Sequence, residues 1–130
     1  ISGYTFYQAV MRSHARLTYN KVSAMLEHPD TEQGYKLSAH YADLLPHLHN
    51  LYGLYKLLRK ARTERGAIDF ETTETKIVFD AQRKIEEIVP VHRNDAHKIV
   101  EECMLCANVA TARFLKKHKI PALYRVHDGP

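Results

Sequence analysis

Cys103-Met104-Leu105-Cys106 has the CxxC spacing that serves dithiol redox chemistry or zinc. A redox cysteine sits at the amino end of a helix, where the dipole lowers its pKa. These two fall about three turns into a helical pattern that starts near Asn94. Zinc takes roughly four ligands, usually with a second Cys or His pair at tight spacing, and the sequence has no such pair. Two small apolar helix residues are the plainer reading. A two-metal hydrolytic site needs several converging carboxylates, but Asp30, Asp43, Asp69, Asp80, Asp95 and Asp128 are widely separated. Glu86-Glu87 and Glu101-Glu102 are adjacent, so the members of each pair point to different faces. The nine histidines follow no metal-ligand spacing, and surface or capping roles suit them. No Ser-His-Asp signature or glycine-rich phosphate loop is present. The chain alone does not read as a complete enzyme.

One arrangement invites a ligand. Arg16 lies near Tyr19 and Arg65 near Phe70, pairing positive charge with a flat ring. Single-stranded RNA uses such pairs, with stacking worth about 1–3 kcal/mol per base. From pattern alone, core rings are the plainer reading of both.

The elements that would hold these residues follow from periodicity. Ala96, Ile99, Val100, Cys103, Ala107, Ala110 and Phe114 share one helical stripe, and Asn94, Asp95, Glu101, Glu102 and Asn108 fall off it. The helix spans about Asn94–Lys117, with Asn94 or Asp95 as its cap. Thr18 or Asn20 caps a short helix to about Leu26, which Pro29 ends. Thr31–Lys36 reads as a polar loop. A long helix is expected from Ser38 to Arg65, kinked at Pro46 or restarting there, with Gly66 closing it. Phe6–Met11, Ala67–Phe70, Lys76–Asp80, Arg83–Glu86 and Ala122–Val126 read as strands. The class is α+β, with long helices and short antiparallel strands.

The bulk numbers set limits. The 130 residues are 45% hydrophobic, which argues against wholesale disorder. A net charge of +4 permits a polyanionic partner without demanding one. No apolar run approaches the roughly 20 residues of a membrane span. The start lacks the basic lead of an export signal, and with few cysteines a reducing cytoplasm is expected. The chain lacks an initiator Met and stops at Asp128-Gly129-Pro130, so it reads as a piece of a longer protein.

Several long motifs in series carry a resemblance. Arg12-Ser13-His14-Ala15-Arg16-Leu17-Thr18-Tyr19-Asn20-Lys21-Val22 resembles the RSHARLTYxKV stretch of the ribonuclease R branch of the ribonuclease II family. The arginine-rich helix end with Gly66-Ala67-Ile68-Asp69-Phe70-Glu71 continues it. So do Arg93-Asn94-Asp95-Ala96-His97-Lys98-Ile99-Val100-Glu101-Glu102-Cys103-Met104, Ala107-Asn108 and Tyr124-Arg125-Val126-His127-Asp128. The resemblance implies an internal part of the RNB catalytic domain of a processive 3′→5′ exoribonuclease that releases nucleoside monophosphates. It implies magnesium held by aspartates upstream of this segment, with no catalytic residue or metal ligand within it and with the OB-type RNA-binding domains absent. The partner implied is the 3′ end of single-stranded RNA, and the isolated segment is expected to be inactive. Tyr19 matches the family tyrosine that stacks on the 3′-terminal nucleotide. Phe70 matches the aromatic closing the other end of the stacked bases. Glu101 matches the carboxylate that accepts a hydrogen bond from a ribose 2′-hydroxyl, with Glu102 one register away. The alternative is a non-catalytic RNA- or protein-binding helical module, its basic helix end Arg59–Arg65 meeting an acidic partner.

Overall fold

The computed structural model describes residues 1–67 and 74–126. The element order is α1 (Tyr19–Leu26), α2 (Glu32–His40), α3 (Leu45–Glu64), β1 (Glu74–Phe79), β2 (Ile85–Val91) and α4 (Asp95–Lys117). This is the α+β arrangement expected, mostly helical, with a two-stranded antiparallel sheet.

The helix ends follow from side chains that satisfy orphan backbone groups. Thr18 Oγ1 accepts from the Lys21 amide at 3.2 Å and starts α1. Thr31 Oγ1 accepts from the Gly34 amide at 3.1 Å and starts α2. A helix here corrects the loop expected over 31–36. Its polar sequence carries no hydrophobic stripe, yet Thr31 caps it and the exposed Glu32–Lys36 pair, at 2.6 Å, spans one turn. Of the two alternatives at Pro46, a kink or a restart, the chain takes the restart: α3 begins at Leu45 with Pro46 in its first turn, and residues 38–40 belong to α2, which ends at His40. Gly66, at φ 70°, closes α3. Its amide donates to the Thr63 carbonyl and the Ala67 amide to the Arg62 carbonyl, at 3.0 and 3.2 Å. Lys119, at φ 55°, ends α4 with the same pattern onto Lys116 and Leu115.

β1 and β2 form a hairpin running from the Glu74↔Val91 pair to Phe79↔Ile85, with an irregularity after Val78. Asp80 builds the turn, its Oδ1 accepting from the amides of Gln82 and Lys84, both at 2.9 Å. β2 runs from Ile85 through Val89-Pro90-Val91, beyond the strand expected over Arg83–Glu86. The expected strands Phe6–Met11 and Ala122–Val126 do not form. A strand needs a partner for its backbone groups. In the first of these segments Phe6 packs edge-on against Phe114 of α4 at 5.1 Å, while Val10 and Met11 face solvent. Of the segment Ala67–Phe70, Ala67 lies in no strand and 68–70 fall outside the described residues.

The core sits where α1 meets the first turns of α4. Met25 is fully buried, Ala24, Ala96 and Ile99 are buried at the same contact, and Ala110 is buried farther along α4. α1 and α2 approach closely at Gly34, where a β-carbon would lie 2.0 Å from the His28 carbonyl oxygen and 2.6 Å from that of Ala24. Both obstacles are backbone and cannot rotate away. Gly34→Ala therefore costs about 3 kcal/mol, the upper end of overpacking, read as a lowered urea midpoint. An unchanged midpoint would show that the two helices separate freely.

Candidate functional site

The amino ends of α1 and α4 come together, and the polar residues cluster there. Tyr19 is the first residue of α1. Its ring stacks on the imidazole of His97, with centroids 4.0 Å apart and planes 19° from parallel. The residue is 45% exposed, which corrects the core reading that pattern alone favoured. His97 occupies the third position of α4 and completes a capping box with Asn94. The Asn94 amide donates to His97 Nδ1 at 3.2 Å, and Asn94 Oδ1 accepts from the His97 amide at 3.3 Å. Asn94 Nδ2 also donates to Asn20 Oδ1 at 3.4 Å, closing the contact back onto the residue after Tyr19. Beneath, the Glu27 carboxylate accepts from the Asp95 amide at 3.4 Å and from the Ser23 hydroxyl. An anion at the amino end of α4 suits the helix dipole.

Glu101 lies one turn beyond His97, on the same face of α4. Arg93 Nη2 donates to Glu101 Oε2 at 2.7 Å, and Arg93 Nε lies 2.7 Å from Oε1. The guanidinium holds both carboxylate oxygens from one side. Glu101 still exposes 41% of its side chain, and a carboxylate has lone pairs beyond the two so engaged. Glu102 is its opposite. Its side chain is 5% exposed and meets Arg62, with Arg59 at 3.8 Å. Sequence put both carboxylates on the polar face. The structure buries Glu102 against α3 and leaves Glu101 accessible to a ligand.

The face of α3 toward α4 is polar for the same reason. The Tyr52 hydroxyl donates to Asp95 Oδ2, and Lys56 Nζ lies 4.3 Å over the Tyr52 ring. Burial, then the bond to Asp95, pushes the Tyr52 hydroxyl well above its ordinary pKa, so it remains a donor. Both cysteines are free. Burial, with Cys106 and Glu102 nearby, pushes the Cys103 thiol up, against what a redox thiolate requires. Among the described residues no group of three or more His, Cys, Asp or Glu side chains is placed to hold a metal ion. No helix among them is long and apolar enough to cross a membrane.

Tyr19 and Glu101 are thus brought to one face, bridged by His97. Phe70 lies outside the described residues. Sequence reasoning passed over His97 and Arg93. The capping spacing Asn94-x-x-His97 was the available signal for the first; Arg93 precedes the helix, so no periodicity links it to Glu101.

A family model described as the RNB domain matches residues 1–130. The chain belongs to the RNB family. The Ribonuclease R of Vibrio parahaemolyticus is 56% identical over 130 residues, which is 100% of this chain and 15% of that protein. The Ribonuclease R of Escherichia coli is 53% identical over the same span, and that of Thermotoga maritima 36% identical over 128 residues. The RNB chain described here spans about 15% of the length of the first two relatives.

Proposed function

We propose that this RNB segment forms part of the RNA channel of a processive 3′→5′ exoribonuclease that releases nucleoside 5′-monophosphates. The observation that carries the reading is the pairing, on one face, of a half-exposed stacked ring with an accessible, oriented carboxylate. Tyr19 offers a π-face to the last base of a single-stranded 3′ end. Glu101 accepts a hydrogen bond from a ribose 2′-hydroxyl, the group that separates RNA from DNA. Arg93, paired with both of its oxygens, fixes that carboxylate in orientation. Phe70 closes the other side of the stacked bases in the same reading.

Magnesium would supply the activated water and stabilise the phosphate charge in the parent enzyme. Among the described residues no cluster fits a metal site, and the ligands belong to aspartates outside this segment. The segment's own work is to grip the RNA end and report its sugar. Two free thiols suit a reducing cytoplasm.

The experiment uses 5′-labelled single-stranded RNA with magnesium. The full-length protein shortens it from the 3′ end in a processive ladder, and the purified 130-residue chain leaves it intact. Trimming by the isolated chain would place the chemistry inside this segment. RNA binding without cleavage by the full-length protein would favour a non-catalytic module.

A further inference from the structure

We infer that His97 is a positioning residue for RNA binding: its imidazole backs the Tyr19 ring and fixes the plane that ring presents to the terminal base. The inference rests on the role proposed for Tyr19. An exposed tyrosine samples several side-chain rotamers, and a binding platform that must first select one loses affinity to that ordering. Among the described residues, the ring partner of Tyr19 is His97, stacked at 4.0 Å and 19°. Stacking covers one face of the phenol, and Tyr19 as a residue stays 45% exposed.

His97 can serve as a backstop because it is itself held. Its Nδ1 accepts from the Asn94 amide at 3.2 Å, and Asn94 Oδ1 lies 2.9 Å from the same nitrogen. Asn94 in turn bonds Asn20, the neighbour of Tyr19, at 3.4 Å. Tyr19, His97, Asn94 and Asn20 therefore close a ring across the first turns of α1 and α4. One member of that ring faces solvent with its π-surface, and the other three set its angle. A capping residue alone would need only the bond to Asn94. The parallel stack on an exposed tyrosine is additional, and glutamine or glutamate at the third helical position would cap without it.

That difference gives the test. In the full-length enzyme, His97→Gln keeps an acceptor for the capping box and removes the ring; His97→Phe keeps a ring and removes the acceptor. KM and kcat on single-stranded RNA are measured for both, for Tyr19→Ala, and for the Tyr19→Ala/His97→Gln double variant, with melting temperatures alongside. His97→Gln is expected to raise KM about three- to tenfold, the scale of an aromatic pair, with kcat and melting temperature little changed. His97→Phe recovers only part of that loss in KM, because its ring is no longer held by Asn94. In the Tyr19→Ala background His97→Gln adds nothing. A His97→Gln effect that persists undiminished without Tyr19 would overturn the inference alone, because Tyr19 would still matter by itself. A Tyr19→Ala enzyme with parental KM and products would remove the role of Tyr19, and this inference with it.

Discussion

Replacing Glu102 with alanine lowers the folding stability of the full-length protein by about 3–5 kcal/mol, the usual cost of removing one partner of a buried ion pair. The side chains concerned are shielded from water: Glu102 is 5% exposed, Arg62 13% and Arg59 31%. Solvent cannot replace the lost carboxylate, so the α3–α4 contact bears the loss. The neighbouring substitution Glu101→Ala removes an ion pair with a 41% exposed carboxylate and costs less than about 1 kcal/mol. Denaturant unfolding of the two variants measures the contrast. Equal midpoints would mean that the two carboxylates share one environment, and the division of labour between them would fail.

The second large effect concerns binding. Tyr19→Ala reduces kcat/KM of the full-length enzyme on single-stranded RNA by about 5- to 150-fold, the equivalent of one stacked base at about 1–3 kcal/mol. It also lengthens the shortest product, since a short RNA end depends most on each contact. The fold is little disturbed, because Tyr19 sits at the rim of α1 with nearly half its surface in solvent. Unchanged product lengths and kinetics would remove Tyr19 from the RNA path.

Much of this arrangement was readable in advance. The short-range signals were the dependable ones. Thr18, offered beside Asn20, and Asn94, offered beside Asp95, marked the starts of α1 and α4, and Gly66 the end of α3, because each acts on backbone groups within a few residues of itself. α2 was missed because a helix held by a cap and an exposed ion pair shows no apolar stripe. Phe6–Met11 was misread as a strand because β-propensity reports side chains that suit a sheet, whereas a strand exists only with a partner. The burial of Glu102 was illegible for a similar reason. Its compensation comes from Arg59 and Arg62, some 40 residues away on another helix, and hydrophobic periodicity treats a buried, paired carboxylate as an exposed one. Resemblance to the RNB family supplied Tyr19 and Glu101 as candidates. The fold supplied what sequence could not: that His97 lies between them, and that Arg93 orients the second.

In the function proposed, the Tyr19–His97–Glu101 face reads the 3′ end of RNA, with Glu101 sensing its sugar. The direct measurement compares two oligonucleotides identical except for a 2′-deoxyribose at the 3′ terminus, cleaved by the parent enzyme and by Glu101→Ala. The parent is expected to prefer the ribose end, and Glu101→Ala to narrow that preference by about tenfold, the scale of one hydrogen bond to a charged group. Equal discrimination by the two enzymes would contradict it.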